Sequence, residues 1–389
     1  MYDQAFFDAG MARRGTFCLK WDIPGMLPED GVPMWVADMD FACAAPIRDA
    51  VIARAEHMCY GYPMNNPADD QAVCDYWRRH HALDFAPRQM TRMPCVVTGM
   101  GAAVRALTKP GDGVAIFTPV YPPFFSAIEM NGRRLVKLPL DRDADGRYRM
   151  NLDSLRQALE GGVRALLFCN PHNPLSRAWT REELKALVDL AAAYDAIIIS
   201  DEIHADFVYA PNRHVPMLSV PGAKERTLMF LSASKTFNVA GLLQANAVSF
   251  NEAMLAAMQK ELELSGAVSG NVFSTAATRA AYTHCDDWRA GMLDYLDGNR
   301  ALLREQLNAL LPDAALAPIE ATYLAWIDLR AYCASSAEID EKCRRHGLVL
   351  NRGDTFGAEG DGFMRLNFGC NRENLRRGVE KLAAAMKEE

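Results

Sequence analysis

The sequence contains no run of about 18 apolar residues, so no segment is expected to span a membrane. It has no Lys/Arg block and no basic stripe interleaved with aromatics, and 42 basic against 49 acidic residues leave a formal charge of −7. A nucleic-acid partner or an anionic membrane surface is therefore not expected. Neither a Walker loop nor an HExxH zinc motif occurs, and the ten cysteines include no C-x-x-C pair. No metal site and no disulfide framework is expected, and the thiols read as reduced and mostly buried. The opening Met1-Tyr2-Asp3-Gln4 shows no basic segment leading into an apolar run, which predicts a cytoplasmic location. Low-complexity linkers and repeats are lacking too.

What is present is core-forming material. Half of the 389 residues are hydrophobic, and the length exceeds one ordinary core of ~100–200 residues, so a large and a smaller domain are expected. Residues 1–45 are irregular and rich in Pro, Gly and Trp, and read as an arm partly joining the small domain. Over 46–286, helical periodicity alternates with short apolar runs, the signature of βαβ units in a mostly parallel sheet. Candidate strands lie at 95–98, 113–117, 134–138, 163–168, 196–200, 228–231 and 245–250. Several are apolar throughout, as strands covered on both faces are. Thr180, with Glu183 three residues on, opens a helix over 181–194 as a capping box. Over 287–389 a long amphipathic helix at 288–310 precedes alternating strand and helix patterns, which predicts a small α+β domain.

In an open parallel sheet, ligands sit beyond the carboxyl ends of the strands. Three candidate strands run directly into polar segments. These are Cys169-Asn170-Pro171-His172-Asn173-Pro174, Asp201-Glu202-Ile203-His204 and Ser232-Ala233-Ser234-Lys235-Thr236. If the strands are neighbours, Asn173, Asp201 and Lys235 converge on one cleft. A lysine condenses with an aldehyde and can afterwards move a proton. A carboxylate beside a pyridine nitrogen keeps that nitrogen protonated and makes the ring an electron sink. An amide can donate to a phenolate oxygen, and hydroxyls with free N–H groups at a helix start suit a phosphate. Each feature alone has an ordinary reading as a cap, a surface lysine or a proline turn. Their shared place at strand ends, in this order, favours a site.

These segments resemble fold-type I pyridoxal-phosphate (PLP) enzymes of the class I/II aminotransferase superfamily. The stretches Arg14-Gly15-Thr16, Pro33-Met34-Trp35-Val36-Ala37-Asp38-Met39-Asp40-Phe41, Tyr60-Gly61-Tyr62, Pro119-Val120-Tyr121-Pro122-Pro123-Phe124 and Arg365-Leu366-Asn367-Phe368 narrow the likeness. They are similar to the cystathionine β-lyase (C–S lyase) subgroup of MalY and PatB type. The resemblance implies an α/β fold with a mostly parallel seven-stranded sheet and a small α+β C-terminal domain. It also implies a homodimer whose active sites are completed across the interface.

By the same resemblance, Lys235 carries the coenzyme, Asp201 pairs with the pyridine nitrogen, and Asn173 meets the ring hydroxyl with His204 nearby. Tyr121 stacks on the ring. Ser232, Ser234 and the backbone of Gly99, Met100 and Gly101 hold the phosphate, with Tyr62 from the neighbouring subunit. Arg365 grips the substrate carboxylate, and Ala37 and Tyr323 border the substrate. Three departures from the family pattern stand out. The phosphate loop reads as about one turn short, the Thr-Gly usual after Asn-Pro-His-Asn-Pro is Leu175-Ser176, and Leu243 replaces a phosphate-binding Arg of many aminotransferases.

The implied activity is α,β-elimination from L-cystathionine or a related L-cysteine thioether, giving a thiol, pyruvate and ammonia. A class I/II aminotransferase shares every step up to the carbanion and is the alternative. A non-catalytic protein on the same fold is a third reading, resting on the altered loop. A dinucleotide loop at Gly99-Met100-Gly101 is disfavoured, because the third glycine is missing.

Overall fold

The computed structural model describes residues 2–267 and 270–388. After a short arm strand, β1 (Val32–Pro33), come β2 (Met90–Met93), β3 (Gly113–Thr118) and β4 (Arg134–Pro139). A small hairpin of β5 (Asp141–Arg142) and β6 (Tyr148–Arg149) precedes β7 (Val163–Cys169), β8 (Ile197–Asp201), β9 (Thr227–Leu231) and β10 (Ala245–Val248). Seven of these form one sheet in the order β2-β10-β9-β8-β7-β3-β4, parallel except where β10 pairs with its neighbours.

The two-residue period of a strand sends alternate side chains to opposite faces. Leu166, Phe168 and Ile198 pack with Leu184 and Leu187 of the helix Arg181–Ala193 on one side. Leu167 and Ile199 pack with Met100 and Val104 on the other. Helices thus cover both faces, which is why these strands are apolar throughout. Thr180 accepts from the Glu183 N–H, and Glu183 accepts in return from the Thr180 N–H, as the capping box predicts.

One expected strand is corrected. Residues 95–98 open the helix Val96–Leu107, and the strand lies earlier, at β2. Val96, Met100, Ala103 and Val104 recur at helical spacing on one buried face, and that period overrides the local β-branched composition. The segment expected to meet the phosphate is therefore a helix start.

The remaining strands are β11 (Ala315–Leu316), β12 (Leu324–Asp328), β13 (Leu348–Val349), β14 (Asn351–Arg352) and β15 (Phe363–Asn367). Four form an antiparallel sheet, β11-β12-β15-β14, while β13 pairs in parallel with β1 and so ties the arm to this part of the chain.

The turn after β7 explains the Leu175-Ser176 departure. Ser176 takes the left-handed conformation (φ +54°), where a glycine would be unstrained. Its hydroxyl donates to the Leu324 carbonyl and lies 2.6 Å from the Thr322 hydroxyl, fixing the turn on β12. Arg177 beside it is buried. It donates to the Tyr148 carbonyl at 2.7 Å, pairs with Glu183 at 2.6 Å and with Glu320, and lies over the Trp179 ring. Arg177→Met is expected to cost about 3 kcal/mol in denaturant unfolding. The figure is at the low end for a broken buried pair because Arg147 still reaches Glu320. No loss of stability would show that the turn is held by packing alone.

Candidate active site

β3, β7, β8 and β9 are neighbours, and the segments that leave their carboxyl ends enclose a cleft of about 290 Å³. Ala37, Met100, Tyr121, Asn173, Asp201, His204, Ser232, Ser234, Lys235 and Arg365 all line it. Register brings this about: Asp201 is the last residue of β8, opposite Cys169 of β7 and Phe230 of β9. Arg365 arrives from the other sheet, on β15.

Three ionisable groups in the cleft lie outside every ion pair among the described residues. Burial raises the Asp201 carboxyl to about 7, against a smaller opposing effect of the Ile203 N–H 3.1 Å away and of Lys235. Burial lowers the Lys235 amine to about 8, with Arg365 adding to the shift while Asp38 and Asp201 oppose it. Its Nζ donates to the Ala37 carbonyl at 2.5 Å. Burial also lowers the Arg365 guanidinium, to about 10. Arg365 donates to Asn173 Oδ1 at 2.9 Å, the Trp35 carbonyl at 2.7 Å and Asn351 Oδ1 at 2.6 Å, and its Nε has no partner. A buried guanidinium held only by neutral acceptors is ready for a carboxylate. His204 is buried and pushed down to about 3 by burial and then by Lys235 and Arg365, so it is neutral, and its Nδ1 is unpartnered.

A Cβ at Gly99 would meet Met93 and Phe230 and one at Gly101 would meet Asn131 and Arg105, while the Gly99 N–H donates to the Cys95 carbonyl at 3.0 Å. Val96 and Val97 border the cleft instead, with the N–H groups of the helix's first turn free of intrahelical partners. The Ser232 hydroxyl caps the helix Ala233–Thr236, accepting from the Ser234 N–H at 3.0 Å and donating to the Gln244 carbonyl at 2.6 Å, so it is already engaged. Tyr323 is fully buried behind the wall, donating to the Ala37 carbonyl at 2.9 Å. Tyr62 is fully exposed, outside this cleft.

The sequence reading missed Leu19, Val96, Val97, Gln244 and Asn351 as lining residues. Only Val96 and Val97 carried a signal, the helical period from Val96. The side chain of Gln244 is buried, with its Oε1 unpartnered.

These groups fit pyridoxal phosphate. Asp201 is a buried carboxylate in want of a cation, which a protonated pyridine nitrogen provides. Lys235 is an amine held close to its neutral form, Tyr121 offers a ring wall, and the start of the Val96–Leu107 helix offers N–H groups to an anion. Ionisation of Asp201 without a cation opposes folding. This penalty is absent below the ordinary value of 3.8, grows as pH rises towards about 7, and is constant above it. Asp201→Asn is therefore expected to raise the melting temperature of coenzyme-free protein by a few degrees at pH 8 and not at pH 4, while weakening coenzyme binding at least tenfold. Calorimetry and coenzyme titration check both. A variant less stable at pH 8 would show that Asp201 is paired in the scaffold.

The family model for aminotransferase class I and II matches residues 38–382. Cystathionine beta-lyase PatB of Bacillus subtilis (strain 168) is 35% identical over 386 residues, covering 98% of this chain and 99% of that protein. The structure of a PLP-bound putative aminotransferase from Clostridium difficile 630 superposes with a TM-score of 0.95 at 31% identity, covering 98% of this chain and 99% of that one. The PLP-bound C–S lyase from Staphylococcus hominis superposes with a TM-score of 0.91 at 30% identity, covering 98% of both chains. With the lysine, aspartate and arginine gathered as described, the chain belongs to the aminotransferase class I and II family.

Proposed function

We propose that this protein is a PLP-dependent carbon–sulfur β-lyase, converting an L-cysteine thioether and water into a thiol, pyruvate and ammonia. The observation that carries the reading is Lys235 set between a buried carboxylate and a buried guanidinium that have no counter-ion of their own. The lyase names of the Bacillus and Staphylococcus relatives favour elimination over transamination.

Bound coenzyme supplies an electron sink for the charge left at the substrate Cα. Arg365, oriented by Asn173 and Asn351, holds the α-carboxylate and so fixes which Cα bond faces Lys235. The Lys235 amine, drawn down to about 8, is partly neutral near pH 7–8 and takes the Cα proton there. Asp201 would keep a proton on the ring nitrogen, and neutral His204 lines the same cleft. Expulsion of the thiolate from Cβ completes the elimination.

Further readings belong to the same proposal. Residues 1–45, 46–286 and 287–389 act as arm, coenzyme domain and small domain, in keeping with the two separate sheets. The exposed apolar segment with Met58, Tyr60, Tyr62 and Met64 supports a homodimer in which Tyr62 reaches the partner's phosphate site. Ten free thiols suit a reducing cytoplasm.

Holoenzyme given L-cystathionine is expected to form pyruvate without any keto-acid acceptor, and Lys235→Ala is expected to lose at least a thousandfold in kcat. Strict dependence on an acceptor would establish transamination instead. Mixing Lys235→Ala with Tyr62→Asp is expected to restore part of the lost activity, since a hybrid dimer holds one intact site. An unimpaired Tyr62→Asp homodimer would place Tyr62 outside the reaction, and no recovery in a proven hybrid would place it in its own subunit's site.

A further inference from the structure

We propose that Tyr323 is a positioning residue for Lys235, acting through the Ala37 carbonyl to which both side chains donate. By sharing that oxygen, Tyr323 limits its hold on the ammonium form and leaves the amine free to take a proton. This rests on the part of the reading above in which Lys235 works at the substrate Cα, and adds to it a residue that stands behind the cleft wall.

The Ala37 carbonyl lies 2.5 Å from Lys235 Nζ and 2.9 Å from the Tyr323 hydroxyl. A buried tyrosine needs an acceptor, and any carbonyl would satisfy that need. Here the acceptor is the one the lysine uses, and the backbone is strained where it presents the ring. Thr322 takes the left-handed conformation (φ +60°), which is costly for a β-branched residue. Its N–H donates to the Phe207 carbonyl at 2.6 Å, and its hydroxyl lies 2.6 Å from that of Ser176. The Tyr323 ring meets Phe207 at 4.8 Å and His204 at 5.8 Å, both edge to face. On the arm, Asn367 donates to the Val36 and Asp38 carbonyls at 2.5 and 2.7 Å, which fixes the peptide between them. Tyr323, Ala37 and Lys235 belong to one chain, so these contacts do not depend on what a partner subunit lays over the cleft.

An oxygen that accepts from an ammonium group favours the charged form. The phenolic O–H sets its positive end against the same oxygen and offsets part of that pull. Burial brings the amine down to about 8, against Asp38 and Asp201 and with Arg365. The remaining titratable groups of the cleft wall are Cys95, Tyr121, Cys169 and His204. In that balance, loss of the tyrosine's share lowers the amount of neutral amine present near pH 7.

Two measurements read this apart from the outcome of the reaction. In coenzyme-free protein only the neutral amine is acetylated, so the labelling rate of Lys235 against pH, followed by mass spectrometry, reports its titration. In holoenzyme, exchange of the α-proton of L-alanine for solvent deuterium, followed by NMR, reports proton removal from an amino acid with no leaving group. Tyr323→Phe is expected to move both inflections up by about half a pH unit, slowing both rates about threefold near neutral pH and hardly at all well above the inflection. 3-Fluorotyrosine at position 323, a stronger donor of similar size, is expected to move them down, and it tests the proposal even where the phenylalanine variant fails to fold. Inflections that stay in place, whatever the rates, overturn the proposal and leave Tyr323 as packing, and so does an upward shift with fluorotyrosine. Absence of pyruvate from every thioether would defeat the lyase reading alone, since neither measurement requires elimination.

Discussion

Asp201, Lys235 and Arg365 are brought into one cleft without an ion-pair partner among the described residues, and much of the surrounding structure serves to hold them there. Burial pushes all three the same way, towards the neutral form: the carboxyl up to about 7, the amine down to about 8, the guanidinium down to about 10. Such a constellation stores unfavourable energy in the unliganded fold. It becomes favourable only when a cation stands beside the aspartate and an anion beside the arginine. A protonated pyridine nitrogen and an amino-acid carboxylate are one such pair.

Most other buried charges among the described residues are paired, so these exceptions carry information. Asp206 is surrounded by the Tyr76 hydroxyl at 2.8 Å, Thr236 at 2.6 Å, Arg289 at 2.7 Å and His81 at 3.1 Å, and is held well below the usual carboxylate range. Glu202, the residue after Asp201, accepts from His214 at 2.7 Å, from Ser200 and from the Met217 N–H. Two adjacent acids at one strand end thus have opposite fates. One is fully partnered in the core, and the other accepts the Ile203 N–H but has no counter-ion among the described residues. The Asp206 cluster also reaches the helix of Lys235 through Thr236, so a partnered charge fixes the backbone of an unpartnered one.

The strand ends were legible in the sequence because a strand buried on both faces announces itself as an uninterrupted apolar run, and a polar residue closing it is conspicuous. That is how Asp201 and the segments of Asn173 and Lys235 were found. The start of the Val96–Leu107 helix was misread because Val96-Val97-Thr98 looks locally like a strand, and only the longer helical period reveals the turn. The Gly99 and Gly101 contacts rest on the resemblance and not on this period, and a Cβ at either position would meet packing neighbours. Tyr323 and Gln244 illustrate a different limit. Whether a side chain lines a wall or stands behind it depends on how two distant segments meet, and spacing within one segment does not encode that.

The arm shows why such a site cannot be assigned to any single element. Its Ala37 carbonyl receives both the Lys235 amine and the Tyr323 hydroxyl, while its Trp35 carbonyl receives Arg365. The large sheet supplies the lysine, the small sheet supplies the arginine, and irregular backbone between them accepts hydrogen bonds from both. Beyond the β1–β13 pair the arm is held by side chains, with Asn238 donating to the Met39 and Phe41 carbonyls at 2.8 Å and Asn367 donating to the Val36 and Asp38 carbonyls at 2.5 and 2.7 Å. The same irregular backbone is therefore held from the large domain through Asn238 and from the small sheet through Asn367, and this keeps its Trp35 and Ala37 carbonyls aimed at the arginine and the lysine.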